Sequence, residues 1–189
     1  DLQKPLGFPG ELAPGWEKVA VMKLGELVSQ SRALQVFLDA CVKCGACTDK
    51  CHYYLGTADP KNMPVARQDL LRSVYRRYFT FAGKHFPKLV GAVDMTKDVL
   101  DQWWSYFNQC SECRRYSVFC PYGIDTAEVT MAAREIMDSV GLGQKYANEI
   151  IGKVHRIGNN LGIPGPALED TLSGLEGDTQ DETGGGVRF

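Results

Sequence analysis

The sequence predicts a nearly all-α protein. Apolar residues recur at helical spacing in several segments, and candidate capping residues precede two of them. No segment shows sustained alternation of apolar and polar residues with a period of two. Because a half-buried β-strand requires that alternation, we expect helices and connecting loops throughout the chain.

The first half of the chain contains three predicted helices. The apolar positions of 16–32 suit a helix, and 33–40 suits a short one that leads directly into the first cysteine. A third helix lies within 59–78, with Asn62 as a possible N-cap and Pro64 in the first turn. Its arginines are predicted to lie mostly away from its apolar stripe, which is Leu70, Leu71, Val74, Tyr75 and Tyr78.

The second half repeats this pattern. Residues 96–107 have apolar residues at helical spacing, and Asp125 with Glu128 forms a capping-box-like pair before another helix. Gly141 is expected to help end that helix, and a further helix is expected over 144–160. The predicted buried stripe of the helix after Asp125 is Val129, Ala132, Ala133, Ile136 and Val140.

The sequence divides into three parts. Residues 1–15 are rich in Pro and Gly and are expected to be an irregular lead-in to a helical domain over 16–163. In the remainder, 164–189, six acidic residues stand against Arg188 alone, and three glycines precede the final Val-Arg-Phe. This part is expected to be a linker to a missing C-terminal domain, or else a solvated acidic tail.

Composition excludes several classes of protein. With 189 residues, of which 44% are hydrophobic and 23% charged, the chain is not intrinsically disordered. No apolar stretch approaches the length of a membrane span, and a net charge of −2 argues against a dedicated nucleic-acid binder. No signal peptide is recognisable, and a chain that begins with Asp1 is expected to be a processed form or a fragment.

Seven cysteines, all in two short windows, are the strongest functional signal. An odd number of cysteines separated by two or three residues is poor material for a disulfide framework. Reduced thiolates that bind metal in the cytoplasm fit better. The seven are Cys41, Cys44, Cys47, Cys51, Cys110, Cys113 and Cys120.

The first window, 41–51, has the spacing C-x2-C-x2-C-x3-C of ferredoxin-type [4Fe–4S] ligands. Three thiolates at such intervals can bind three iron corners of a cubane from one tight loop, in which Gly45 allows an unusual φ. The longer gap carries Cys51 into the following helix, so it is expected to bind the other cluster. Structural zinc is the weaker alternative, since it does not need three consecutive thiolates at this spacing.

The second window, 110–121, has the same spacing with Tyr116 at the third ligand position. In crossed ligation, the last cysteine of each window binds the cluster of the other window. This arrangement predicts one complete [4Fe–4S] cluster on Cys41, Cys44, Cys47 and Cys120. It leaves Cys51, Cys110 and Cys113 for a second cluster that lacks one thiolate.

Tyr116 leaves three possibilities open for the second cluster. It could be a [3Fe–4S] centre, or a [4Fe–4S] cluster whose fourth ligand is water, the Tyr116 phenolate or an outside group. Alternatively, the chain is a variant of a protein that has cysteine at this position.

The 58 residues between Cys51 and Cys110 hold two predicted helices, which matches the α-helical ferredoxin arrangement. The segments 41–77 and 103–130, with DPKNMP at 59–64 and CPYGIDTAE at 120–128, resemble the DsrK family of heterodisulfide-reductase-like iron–sulfur subunits, which belong to sulfite-reduction-associated membrane complexes. The likeness covers most of 16–175. It implies two cubane clusters, a membrane b-type cytochrome partner, a C-terminal catalytic domain absent here, and cysteine where this chain has Tyr116.

Several other residues could have functional roles. His52 could tune a cluster through a hydrogen bond or simply pack, and His85 and His155 are expected at the surface. Between 61 and 88, seven basic residues stand against Asp69; they could dock an acidic partner, lie near anionic headgroups or form a solvated face. Expected core residues are Trp103, Trp104 and Phe107, and the cations expected to offset cluster charge are Lys43, Lys50, Arg114 and Arg115.

Together these features predict the electron-transfer part of an oxidoreductase in a sulfur-metabolising or respiratory complex. We expect a cytoplasmic location, peripheral at the inner membrane through partner subunits, and no nucleic-acid partner. A structural or regulatory module whose cluster senses oxygen or iron without relaying electrons is the alternative.

Overall fold

The computed structural model describes residues 11–185, which form two compact units, 11–143 and 144–185. Within these residues every regular element is helical and no strand occurs, so the predicted all-α class is confirmed. The predicted lead-in falls partly outside the described residues. The predicted division into a lead-in (1–15), a helical domain (16–163) and an acidic segment (164–189) stays a prediction.

The unit 11–143 contains nine α-helices among its described residues. In chain order they are α1 (Trp16–Gln30), α2 (Arg32–Ala40), α3 (His52–Thr57), α4 (Pro64–Phe79), α5 (Phe81–His85), α6 (Pro87–Val90), α7 (Lys97–Asn108), α8 (Arg115–Val118) and α9 (Thr126–Met137). Short 3₁₀ turns occur at Thr48–Lys50 and Pro60–Asn62, and a π-helical turn follows α9 at Asp138–Leu142.

The core of this unit lies between α1, α2, α4, α7 and α9. Every residue of the stripe predicted for α9 is buried, and Trp103 and Phe107 of α7 are fully buried beside it. The Trp103 indole N–H donates to the carbonyl oxygen of Leu70 at 3.2 Å, so its one polar group is satisfied inside the core. This packed layer supports both cysteine windows, because α2 leads into the first window and α7 into the second.

Helix α4 differs from its prediction in the position of its arginines. Arg67 and Arg72 are 1% and 0% exposed, so they belong to the buried side of the helix and not to its basic surface. They share the helical spacing of the buried Leu71 and Tyr75, which is why the same face carries them inward. The basic surface suggested for 61–88 is therefore smaller than the sequence indicated.

Of the two predicted N-cap residues, Asp125 is confirmed and Asn62 is wrong. The Asp125 carboxylate accepts a hydrogen bond from the Ala127 N–H at 2.9 Å, as predicted for the start of α9. The N-cap of α4 is Met63 and not Asn62, so that prediction is wrong. Asn62 is instead buried, and its side chain bonds to Gln109 at 2.9 Å and to Arg67 at 3.0 Å.

The unit 144–185 consists of α10 (Lys145–Ile157) and α11 (Gly165–Thr183) within its described residues. The first of these helices was predicted. The second lies in the acidic segment, to which composition alone assigned no helix. None of the described helices is both long enough and apolar enough to cross a bilayer.

Candidate functional site

The first cysteine window is a tight loop between α2 and α3. It turns through two residues with positive φ, Lys43 at 57° and Gly45 at 78°. The glycine adopts this conformation without steric cost, as its position in the motif predicted. Cys51 is the N-cap of α3, so the longer gap does carry the fourth cysteine to the next helix.

The second window has the same backbone pattern. Glu112 and Arg114, with φ of 54° and 56°, occupy the positions equivalent to Lys43 and Gly45. Neither is glycine, and such residues in the left-handed region cost about 1–3 kcal/mol each. Ion pairs hold both side chains, from Glu112 to Arg134 at 2.7 Å and from Arg114 to Asp125 at 3.1 Å. The structural equivalence of the two loops places Tyr116 at the position that Cys47 has in the first.

Arginines from core helices anchor both loops in equivalent ways. Arg72 of α4 donates to the carbonyl oxygen of Cys41 at 2.6 Å, and Arg134 of α9 donates to that of Cys110 at 2.5 Å. Each arginine also pairs with a carboxylate, Asp69 for Arg72 and Glu112 for Arg134. The first cysteine of each window is therefore fixed to the core by a charge-assisted hydrogen bond.

Four cysteines line one cavity beside α4. Cys41, Cys44 and Cys47 come from the first window, and Cys120 comes from the second. The wall between them is apolar and includes Val65 and Ile124. Four soft thiolate donors around a largely apolar cavity are the donor set that a [4Fe–4S] cluster requires, so the residues present fit that group.

The electrostatics of Cys47 also reflect this proximity. Burial is the main cause that raises the pKa of its thiol, and the thiols of Cys41 and Cys120 raise it further. A backbone N–H at Val65, in the first turn of α4, bonds to the Cys47 sulfur and acts in the opposite direction. Such an N–H stabilises a thiolate, as the hydrogen bonds around cluster sulfurs do.

The remaining three cysteines are the predicted ligands of the second cluster, and we call the region around Cys51 and Cys110 the second site. Cys51 and Cys110 are buried and Cys113 is exposed. The residues that follow Cys51 and Cys110 in the chain touch, because His52 Nε2 and Ser111 Oγ are 3.3 Å apart. This contact brings the end of the first window against the start of the second. It also gives His52 a hydrogen-bond partner, while His85 and His155 lie at the surface as expected.

Tyr116 lies between the two sites. It lines the cavity of the first site, and its hydroxyl is 3.9 Å from the Cys110 sulfur of the second. Burial raises the pKa of the Tyr116 phenol, and the neighbouring Cys110 raises it further. The side chain therefore carries a proton at neutral pH in the structure described here.

Arg67 brings a buried positive charge to the second site. Its Nη1 lies 3.6 Å from the Cys51 sulfur, and its Nη2 donates to Asn62. Its Nε is buried without a hydrogen-bond partner among the described residues. A buried guanidinium with an unsatisfied N–H is costly unless an anion lies close by, and a thiolate or an anionic cluster at Cys51 would supply one.

Most of the cations predicted to offset cluster charge are already paired. Lys43 pairs with Asp69, Lys50 with Asp49 and Arg114 with Asp125. Lys50 also lies 4.8 Å from the centre of the Phe119 ring, which joins the two windows. The roles of Arg67, Arg72 and Arg134 were not predicted from the sequence. For Arg67 and Arg72, the only sequence signal of burial was their helical spacing relative to the buried apolar residues of α4.

Among the residues that the structure describes, no three or more His, Cys, Asp or Glu side chains converge as they would on a single metal ion. A cubane has a different requirement. It presents four separate iron corners, so its thiolates surround a volume and need not meet at one point.

Comparison with known proteins agrees with this chemistry. Residues 37–124, which contain both windows, match the family model described as 4Fe-4S dicluster domain. No solved structure matches the chain.

Curated relatives extend the comparison to most of the chain. It is 48% identical over 175 residues to the Hdr-like menaquinol oxidoreductase iron-sulfur subunit 2 of Archaeoglobus fulgidus, covering 92% of this chain and 31% of that protein. The Archaeoglobus profundus counterpart is 46% identical, with 92% and 31% covered. One subunit of the dihydromethanophenazine:CoB–CoM heterodisulfide reductase of Methanosarcina barkeri is 27% identical over 122 residues, with 62% and 29% covered.

The chain thus spans less than a third of the length of each of these relatives. The match to the dicluster family lies where the structure places both cysteine loops and the helices between them. Residues 37–124 are similar to the 4Fe-4S dicluster domain family, and most of the chain is similar to part of the heterodisulfide-reductase-like iron–sulfur subunits.

Proposed function

We propose that this chain relays single electrons between two adjacent iron–sulfur clusters as part of a heterodisulfide-reductase-like complex. The observation that carries the proposal is the position of Tyr116, which lines one site and whose hydroxyl lies 3.9 Å from the Cys110 sulfur of the other. The two sites are thus separated at this point by one side chain. Two redox centres that close together are suited to electron exchange, whereas a sensor needs only one.

The proposed ligands follow the crossed arrangement. Cys41, Cys44, Cys47 and Cys120 would hold a [4Fe–4S] cluster, since all four line one cavity. The second cluster, [4Fe–4S] or [3Fe–4S], would be held by Cys51, Cys110 and Cys113. When bound, such clusters supply one-electron redox chemistry.

The chain itself contributes position and charge. Arg72 and Arg134 hold the first cysteine of each loop, which fixes the thiols before a cluster is bound. The Val65 N–H at Cys47 and the Arg67 guanidinium at Cys51 favour negative charge at the sulfurs. Both groups would raise the reduction potential of their cluster, because reduction adds negative charge.

The relatives suggest the larger setting. Two are named as subunits of an Hdr-like menaquinol oxidoreductase, so we infer that this chain works with other subunits of a quinol-linked or sulfur-metabolising complex. The resemblance to DsrK adds a membrane b-type cytochrome as the electron donor. Such a role would place the chain on the cytoplasmic side, peripheral at the inner membrane.

Relay is tested by redox titration of the anaerobically reconstituted chain, followed by electron paramagnetic resonance. We expect two centres that are reduced reversibly and that broaden each other's signals through magnetic interaction. A single isolated centre that redox mediators cannot titrate would contradict relay and favour the sensing alternative.

The substitution Tyr116→Cys tests the second site. It restores a thiol at the position equivalent to Cys47, so we expect a larger signal from an intact second cluster and more iron per chain in iron and sulfide analysis. Tyr122→Cys is the matched control, because it adds a thiol beside the first site, which already has four. An unchanged iron content and spectrum in Tyr116→Cys would refute this account of the position.

The substitution Arg67→Gln tests the buried cation. Loss of a positive charge near Cys51 should lower the midpoint potential of the second cluster by roughly 50–100 mV and leave the first nearly unchanged. Arg67→Lys retains the charge and should shift the potential much less. Arg77→Gln is the control, because it removes another arginine of α4, one that pairs with Asp94. Equal shifts in both clusters, or none, would show that Arg67 does not act on the second site.

A further inference from the structure

We propose that 79–93, which we call the α5–α6 segment, binds the surface of an anionic lipid bilayer. The segment comprises the last residue of α4, the two short helices α5 and α6, and the residues that join and follow them. It contains no cysteine, and its binding to lipid does not depend on the relay function.

The first observation is the exposure of large apolar side chains. Phe81, Phe86 and Leu89 are 76%, 60% and 86% exposed, and Phe79 and Val93 are partly exposed in the same segment. Single exposed apolar residues are common on protein surfaces, but five within fifteen residues form a cluster. Contiguous exposed apolar patches are typical of surfaces that bind a protein or a membrane.

The second observation is the charge of the segment. It contains Lys84 and Lys88 and no carboxylate. Both lysines are exposed, and neither forms an ion pair within the part of the chain that the structure describes. The first acid after the segment, Asp94, is held by Arg77 at 2.7 Å. The segment itself therefore carries a net positive charge.

Apolar and basic side chains of α5 and α6 lie side by side. The Phe81 ring contacts the His85 ring, with centroids 4.5 Å apart. His85 in turn lines an open groove together with Phe86, Pro87, Lys88 and Leu89. The side chains thus form a continuous surface from α5 to α6.

The backbone under this surface is fixed to α4. A Cβ at Gly83 would lie 1.8 Å from the Arg76 carbonyl oxygen, so only glycine allows α5 to pack this closely. Arg76 donates to the Val90 carbonyl at 3.0 Å, and the Val93 N–H donates to the Ser73 carbonyl at 3.1 Å. Because the segment is already ordered, binding would not require it to fold.

An anionic bilayer fits this surface better than an acidic protein does. Lysines beside Phe and Leu, without carboxylates, are the side chains of interfacial segments that place apolar groups at the acyl boundary and cations at the phosphates. The apolar side chains are exposed and the groove is open. This surface is therefore better suited to insertion into a lipid bilayer than to binding a side chain of a partner protein. Lipid phosphates would complement both ammonium groups.

Flotation of the cluster-loaded chain with lipid vesicles tests the proposal. We expect the chain to bind vesicles that contain phosphatidylglycerol, to bind pure phosphatidylcholine weakly, and to lose binding as salt is added. Lys84→Gln and Lys88→Gln should each weaken binding about five-fold, and Phe81→Ser or Leu89→Ser about ten-fold.

Two exposed residues outside the segment provide matched controls. Met22→Ser removes an apolar side chain that is 74% exposed, and Lys18→Gln removes an exposed lysine, so both should bind as the unchanged protein does. Absence of binding to either vesicle, or equal weakening by the controls, would overturn the proposal. If the chain did not bind vesicles and Phe81→Ser lost a co-purifying protein, the segment would be a protein-binding surface and the proposal would be wrong.

Discussion

The structure depends on bringing two cysteine loops, far apart in sequence, against the same side of α4. Cys120 reaches the cavity of the first window, and the chain after Cys51 touches the start of the second through His52 and Ser111. Under the proposed crossed ligation, each cluster would take cysteines from both loops. The helices between the windows therefore serve chiefly to bring the loops together, and the buried aromatic residues of α7 make that layer rigid.

Repetition of one loop design explains much of the remaining structure. Both windows have left-handed backbone at the same two positions of the motif. In both, an arginine from a core helix donates to the carbonyl oxygen of the first cysteine. Where the first loop has Gly45, the second has Arg114, whose side chain pairs with Asp125. Tyr116 departs from this repetition and is also the side chain that touches both sites, so it could influence both clusters.

The sequence predicted the longer helices α1, α2, α4, α7, α9 and α10, because apolar periodicity and the Asp125 cap are local signals. It did not predict the short helices α5, α6 and α8, which have too few residues to show a period. It did not predict the buried arginines, since burying Arg67 or Arg72 is favourable only when tertiary neighbours supply an anion or a carbonyl. Asn62 was misassigned for a related reason: its side chain bonds to Gln109, a tertiary contact that sequence spacing does not reveal. The helix α11 was missed because an acidic, glycine-containing segment gives no clear apolar stripe.

Exchange of the fourth thiols between windows is the central claim, and serine substitution of Cys120 and of Cys51, read by Mössbauer and electron paramagnetic resonance spectroscopy, tests it most directly. Crossed ligation predicts that Cys120→Ser damages the same cluster as Cys41→Ser does, and that Cys51→Ser damages the same cluster as Cys110→Ser does. If Cys120→Ser instead reproduced the spectrum of Cys110→Ser, each window would bind its own cluster, and the arrangement described here would be wrong.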